Sequence, residues 1–318
     1  VYAVRIGDLD KDGIEDDFVV GVRFGGSNNG MAAYNTTDGK TWSQLWNTTV
    51  FTGGITEVDL LDLDGDGFKT DAVGCEWSRC SVINESGGEV FTKTGFVGAY
   101  SVVTGDFDKD GLFDDIAVGE NSDVYVYNES GDQIAQYTIV SDYPYEIISL
   151  DLDNDGYVDD FVTGEGGEIY GLDNATGSTG SYLWQAGSSS GNVYNLMLAD
   201  INNDGKNEII AGGSDDILRV INESGDLLFQ YNSGGDIPDV YGKSPSVAVG
   251  DINKDGINDI AFISRDDNIY VLQESKCLIS FDDGSSYNMT WNSSLDLWTY
   301  NRSFSSNGTY FYNTTCSK

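Results

Sequence analysis

Short apolar runs rich in Val, Ile, Tyr and Phe alternate along the chain with clusters of Gly, Asn, Asp and Ser. That is the pattern of brief β-strands joined by tight turns. The stretch after residue 98 shows the unit plainly. Strands are expected at 99–104, 115–119, 124–127 and 133–137, with Asn128-Glu-Ser-Gly131 turning the third into the fourth. The pattern returns at 194–198, 209–212, 217–221 and 227–231, around the turn Asn222-Glu-Ser-Gly225. Each unit reads as four antiparallel strands.

The first two strands of each unit are joined by an Asp-rich loop that occurs six times. The copies are Asp8-Leu-Asp-Lys-Asp-Gly-Ile-Glu-Asp-Asp17, Asp62-Leu-Asp-Gly-Asp-Gly-Phe-Lys-Thr-Asp71 and Asp106-Phe-Asp-Lys-Asp-Gly-Leu-Phe-Asp-Asp115. They continue as Asp151-Leu-Asp-Asn-Asp-Gly-Tyr-Val-Asp-Asp160, Asp200-Ile-Asn-Asn-Asp-Gly-Lys-Asn-Glu208 and Asp251-Ile-Asn-Lys-Asp-Gly-Ile-Asn-Asp259. Successive copies begin 44 to 54 residues apart. Four antiparallel strands at that period describe a propeller blade, which a β-helix or a sandwich explains less well. The expected fold is therefore all-β: a β-propeller of about six four-stranded blades, or seven, over residues 1–275.

The loop spacing carries its own chemistry. Oxygens at loop positions 1, 3 and 5 converge on one point when glycine at position 6 permits a sharp turn. The carbonyl of position 7 and a later carboxylate can close the shell. Hard oxygen ligands in a flexible loop select Ca²⁺, whereas Mg²⁺ prefers a tighter octahedron that retains water. An EF-hand shares this first half but needs a bidentate Glu at position 12. Position 12 here is Val19, Val73, Ala117, Val162, Ala211 or Phe262, and the EF-hand reading fails. One Asp-Gly-rich loop can be an ordinary Asx turn; six at a repeat period point to calcium.

A loop of this kind followed by an apolar strand resembles the FG-GAP or VCBS calcium repeat, as in the integrin α-subunit propeller, and the resemblance covers about residues 1–275. It implies about six structural Ca²⁺ sites. Their side-chain ligands would be Asp8, Asp10 and Asp12; Asp62, Asp64 and Asp66; Asp106, Asp108 and Asp110; Asp151, Asp153 and Asp155; Asp200, Asn202 and Asp204; and Asp251, Asn253 and Asp255. Carbonyls would come from Ile14, Phe68, Leu112, Tyr157, Lys206 and Ile257.

The first four loops carry one residue more than the last two, so the closing ligand lies at position 9 or 10. In the second loop position 9 is Thr70 and position 10 is Asp71, and only position 10 offers a carboxylate. The strand register agrees, because Asp17-Phe-Val-Val-Gly21 aligns with Glu208-Ile-Ile-Ala-Gly212. The expected closing ligands are Asp17, Asp71, Asp115 and Asp160, matching Glu208 and Asp259. Position 9 is expected to face water or brace the loop. The sixth unit lacks a clear fourth strand, so ring closure is left open between the C-terminal segment and another chain.

Charge sharpens this picture. The chain holds 53 acids against 16 bases, a formal charge of −37. A nucleic-acid or anionic-membrane partner is excluded on electrostatic grounds. Of the acids, 26 lie in the six loops, the distribution expected of cation ligands.

Cys75, Cys80, Cys277 and Cys316 lack zinc-ligand spacing, and the chain has no histidine. The economical pairing is Cys75–Cys80 across a hairpin and Cys277–Cys316 around the C-terminal segment, two other pairings being formally open. Disulfides imply an oxidising compartment. Asn-X-Ser/Thr occurs at Asn35, Asn47, Asn84, Asn128, Asn174, Asn222, Asn288, Asn292, Asn301, Asn307 and Asn313, an excess that signals a glycosylated extracellular protein. The bland alternative is that Asn, Ser and Thr are simply common in turns.

Five of these, Asn35, Asn84, Asn128, Asn174 and Asn222, fall at the third-to-fourth-strand turn, with Gln273 in the sixth slot. That turn and the Asp-rich loop share one face of an up-and-down blade. The opposite face, with loops 22–29, 75–80 and 236–246, is left for protein partners, copies of the chain itself, or glycans.

Residues 276–318 lack the loop and alternate aromatic with polar residues, as in Leu297-Trp-Thr-Tyr-Asn-Arg-Ser-Phe304. A small immunoglobulin-like β-domain tied by Cys277–Cys316 is expected, its disulfide offsetting a marginal core. The alternating rings suit such a core better than a sugar-binding platform. No apolar run is long enough to span a membrane. No signal peptide is apparent, so the chain reads as a processed product or part of something longer.

The functional expectation is a non-catalytic structural, adhesion or assembly module of a cell-surface protein or extracellular filament. No carboxylate pair stands out as catalytic. A calcium-bearing polysaccharide lyase or hydrolase is the enzyme alternative, and a lectin the third reading.

Overall fold

The computed structural model describes residues 3–22, 29–36, 39–138, 143–173, 181–187, 191–238, 246–254, 256–273, 277–281, 284–288, 290–292, 297–299, 303 and 311–316. Five four-stranded antiparallel sheets follow one another. The first is β1 (Ala3–Gly7), β2 (Asp17–Val22), β3 (Asn29–Thr36) and β4 (Trp42–Phe51). The second is β5 (Ile55–Leu61), β6 (Asp71–Glu76), β7 (Arg79–Ile83) and β8 (Glu89–Thr94). The third is β9 (Ala99–Gly105), β10 (Asp115–Glu120), β11 (Asp123–Tyr127) and β12 (Gln133–Thr138). Then come β13 (Ile147–Leu150), β14 (Asp160–Glu165), β15 (Glu168–Asp173) and β16 (Ser181–Gly187), and β17 (Val193–Ala199), β18 (Glu208–Gly213), β19 (Ile217–Ile221) and β20 (Leu227–Asn232). In every sheet the strands pair in chain order, so each unit is a meander. The strands expected in the third and fifth units are observed to within one residue at either end.

Successive sheets pack face to face, with one apolar cluster at each junction. Val19, Met31 and Ala33 of the first sheet meet Ile55, Val58 and Ala72 of the second. Val73 and Cys75 of the second meet Val102 and Ile116 of the third. Strand β6 therefore supplies both junctions and is buried along its whole length. That is why the second strands read as continuous apolar runs instead of alternating ones. Close packing also explains the glycine that recurs in these strands: a Cβ at Gly74 would collide with Met31 Sδ, and one at Gly164 with Val193.

The first strands of the five sheets line a central cavity of roughly 1060 Å³. On its wall, Arg5 Nε pairs with Asp59 Oδ1 of the neighbouring sheet at 2.9 Å. With the first strands innermost, the β1–β2 loop and its counterparts lie on one face, together with the third-to-fourth-strand turns.

The sixth sheet has three strands among the described residues: β21 (Val247–Gly250), β22 (Asp259–Ile263) and β23 (Ile269–Leu272). Its edge strand exposes Ile269 (77%) and Val271 (47%). The next strand, β24 (Cys277–Phe281), begins where a fourth strand is due. It pairs instead with β25 (Ser286–Asn288) and β28 (Tyr312–Cys316), while β26 (Thr290–Asn292) and β27 (Leu297–Thr299) form a hairpin. Backbone register sets Cys277 opposite Cys316; their sulfurs lie outside the described atoms. Among the described residues no helix is long and apolar enough to cross a membrane.

Candidate functional site

Each Asp-rich loop is wound around its first aspartate. Asp8 Oδ1 accepts the N–H of Asp12 at 3.0 Å and Oδ2 that of Gly13 at 2.9 Å. Asp62, Asp106, Asp151 and Asp200 hold positions 5 and 6 of their own loops in the same way. The turn needs left-handed backbone at two places. Position 6 is always glycine, with φ 89° at Gly13 and 93° at Gly111. Position 4 is left-handed too, even where it is Lys11, Lys109 or Lys254 (each φ 62°). A side chain there costs roughly 1–2 kcal/mol, a strain the loop's hydrogen bonds must offset.

The carboxylates expected to close the shells, at position 10 of the long loops and 9 of the short ones, are buried beneath the loops. Asp17 Oδ2 accepts the N–H groups of Leu9 and Asp10 at 2.9 and 3.0 Å, and its Oδ1 that of Thr36 at 2.9 Å. Asp160 Oδ2 likewise takes Leu152 and Asp153, and Asp259 Oδ2 takes Ile252 and Asn253. Glu208 accepts from Ile201 N–H and, through Oε1, from Asn202 Nδ2 at 2.7 Å. Two position-7 carbonyls, Ile14 O and Phe68 O, each accept the N–H of position 9.

Four loops gather three carboxylate oxygens within 4.8 Å of one another. The trios are Asp8, Asp10 and Asp17; Asp62, Asp64 and Asp66; Asp106, Asp108 and Asp115; and Asp151, Asp153 and Asp155. In the fifth loop Asn202 Oδ1 replaces an acid and accepts Asp204 N–H at 2.9 Å. In the sixth, Asp251 Oδ2 accepts Gly256 N–H at 2.9 Å, and Asp255 lies outside the described residues.

At position 9, expected to face water or brace the loop, Asp114 and Asp159 are buried along with the strands they precede. Asp159 pairs with Lys109 Nζ at 3.1 Å. Burial, reinforced by neighbouring carboxylates, pushes Asp114 up to about 7 and Asp115 up to about 8. Asp115 Oδ1 and Asp16 Oδ1 are buried without a hydrogen-bond partner. A polypeptide that concentrates and orphans carboxylate oxygens in this way fits a hard divalent cation.

The sequon asparagines divide by what their amides do. Asn84 Oδ1 accepts Gly88 N–H at 2.8 Å, Asn128 Oδ1 accepts Asp132 N–H at 2.7 Å, and Asn222 Oδ1 accepts Asp226 N–H at 2.8 Å. In each the carbonyl side closes the turn. Asn35 falls within β3 instead of in the turn, and its Nδ2 donates to Asp10 Oδ2 at 3.2 Å. Asn47 and Asn313 are exposed on β4 and β28. Asn288 and Asn292 lie in β25 and β26, their side chains outside the described atoms, as Asn174, Asn301 and Asn307 are entirely.

On the opposite face Cys75 and Cys80 form a disulfide across the β6–β7 hairpin. The expected loops 22–29 and 236–246 fall largely outside the described residues. This face also carries a feature the sequence reading missed. Trp77, in the turn beside the disulfide and 55% exposed, meets Tyr100 edge-on at 5.3 Å between centroids. Tyr100 contacts Tyr143 and Tyr145 at 4.8 and 5.2 Å, and Tyr145 contacts Tyr194 at 5.2 Å. The rings form a belt across four sheets. Its signal was periodic: Tyr100, Tyr145 and Tyr194 each stand six residues before the first aspartate of a loop.

Comparisons with known proteins address the fold. Residues 175–297 match the family described as the lambda-carrageenase beta-propeller domain, a span that runs past the sixth sheet into the C-terminal strands. The fold is similar to that of Saccharomyces cerevisiae Sqt1, at 14% identity over 82% of this chain and 69% of that one, with a TM-score of 0.57. It is also similar to BBS1N in complex with ARL6DN, at 11% identity over 86% and 78%, with a TM-score of 0.55. No curated protein matches significantly in sequence. Consecutive four-stranded meanders around a central cavity, together with these likenesses, show that the chain carries a β-propeller domain.

Proposed function

We propose that the chain is a secreted, glycosylated, calcium-stabilised propeller of the FG-GAP type. It serves as a non-catalytic adhesion or assembly module at a cell surface or in an extracellular filament, with a small disulfide-tied, immunoglobulin-like C-terminal unit. Positions 1, 3, 5 and 10 of the long loops, and 1, 3, 5 and 9 of the short ones, would hold calcium through oxygen. The ion supplies positive charge that lets clustered carboxylates pack on one face. The other face, free of that duty, docks a protein partner or a further copy of the chain.

The observation that carries the docking reading is the belt from Trp77 through Tyr100 and Tyr145 to Tyr194. Trp and Tyr present large, stiff contact area with a polar handle and dominate protein interfaces. BBS1N, a propeller of similar fold, is itself in complex with a protein, ARL6DN, which is consistent with this use of the architecture.

The match to the lambda-carrageenase propeller favours one second reading, action on or binding of polysaccharide. The charge of −37 argues against polyanionic chains as ligands. Incubation with neutral glycans and polyuronates separates the readings. Cleavage would establish an enzyme, retention without cleavage a lectin, and neither outcome is what the assembly module predicts.

A further inference from the structure

Lysines link the Asp-rich loops of neighbouring sheets, and they do so selectively. Lys11, position 4 of the first loop, bonds through Nζ to Asp66 Oδ2, position 5 of the second loop, and lies 3.0 Å from Glu85. Lys109, position 4 of the third loop, lies 2.5 Å from Asp155 Oδ2, position 5 of the fourth, and 3.1 Å from buried Asp159. The position-4 residues facing the third, fifth and sixth loops are Gly65, Asn154 and Asn203, none of which carries charge.

The grouping of carboxylates follows the lysines. In the second and fourth loops, which receive a lysine, the trio within 4.8 Å is drawn from positions 1, 3 and 5. In the first and third loops the trio is positions 1, 3 and 10, without Asp12 or Asp110. The backbone does not account for the difference. The other oxygen of the position-5 carboxylate accepts the position-7 N–H in both kinds of loop, at 2.9 Å for Asp12, 3.0 Å for Asp66, 2.8 Å for Asp110 and 3.0 Å for Asp155.

We propose that Lys11 and Lys109 are positioning residues that hold the position-5 carboxylate of the following loop over its cation site, preorganising the second and fourth sites and coupling each to the sheet before it. This rests on the calcium reading above. A partner that fixes a ligand from behind typically tunes metal affinity 10–100-fold. The sign is diagnostic. A lysine acting only through charge repels Ca²⁺, so its removal would tighten binding; a lysine that only braces the fold would change melting but not affinity.

The test is calcium titration of the whole chain by calorimetry, with native mass spectrometry for stoichiometry, on wild type, Lys11→Met, Lys109→Met and the charge-retaining Lys109→Arg. The expected result is one site weakened about tenfold in each Met variant, with Lys109→Arg near wild type. Two lysines in different sheets guard against one variant failing to fold, as does melting in saturating calcium. Wild type that binds no calcium would overturn the calcium reading and this inference together. Wild type that binds, beside Met variants that bind equally or more tightly, would overturn this inference alone.

Discussion

Asp71 Oδ1 accepts the backbone N–H of Glu85 at 2.7 Å, while its other oxygen accepts that of Leu63 at 2.8 Å. One buried carboxylate thereby ties the Asp-rich loop of the second sheet to the turn between that sheet's third and fourth strands. As the proposed closing ligand of the second loop's cation shell, Asp71 would also join that site to the blade's outer half.

Replacing Asp71 with Asn keeps the shape but leaves an NH₂ facing a backbone donor. Loss of one charge-assisted hydrogen bond at a buried site costs about 1.5–3 kcal/mol. Urea unfolding should show the midpoint of Asp71→Asn lowered accordingly. A midpoint equal to wild type would show that the carboxylate does not staple loop to turn.

Gly164 packs against Val193 of the next sheet with no room for a methyl group. Gly164→Ala should destabilise by roughly 1–3 kcal/mol through overpacking at the junction. The same substitution at Gly95, outside the Asp-rich loops, where a Cβ meets nothing within 4 Å but φ is 99°, tests backbone strain alone. Equal stability of wild type and Gly164→Ala by thermal melting would contradict the close-packed junction.

The glycan expectation is sharpened by amide geometry. At Asn84 and Asn128 the amide oxygen is committed to the turn, which leaves Nδ2 for the sugar, whereas Asn222 Nδ2 donates to Asp226 Oδ2 at 3.4 Å. At Asn35 it is Nδ2 that bonds to Asp10. Glycopeptide mapping of protein from a secreting eukaryotic host should find Asn84 and Asn128 occupied and Asn35 bare. A glycosylated Asn35 would show that the contact with Asp10 does not form before sugar transfer.

Much of the fold was legible because local signals agreed with one another. Six Asp-Gly loops set the period, the Asn-Glu-Ser-Gly turns at 128–131 and 222–225 marked the outer hairpins, and Cys75 and Cys80 sat symmetrically about one tight turn. The position-10 argument rested on register alone, since Thr70 left no other carboxylate; Asp71 lies buried beneath its loop, but the carboxylate trio of that loop is Asp62, Asp64 and Asp66. What was not legible depended on neighbours across sheets. The burial of Asp114 and Asp159 and the reach of Lys109 to the next loop are properties of packed blades, invisible in one repeat. Tyr100 and Tyr194 looked like ordinary strand residues until the sheets stood side by side. The strand β24 pairs with β28 in the register expected from Cys277 and Cys316, whereas what completes the edge of the sixth sheet is a long-range matter that local pattern does not encode.

The central claim is that calcium holds this propeller together. An ion at 100 times its dissociation constant stabilises by about 2.7 kcal/mol per site, and 1 kcal/mol moves the melting point of a domain this large by roughly 2–4 °C. Several occupied sites should therefore raise the melting temperature by about 10 °C or more. The decisive measurement is a thermal melt in calcium and in excess EGTA, with elemental analysis confirming that the chelated protein has lost its metal. A fall of that size on chelation, reversed by added calcium, is the predicted result; an unchanged melt in metal-free protein would contradict it.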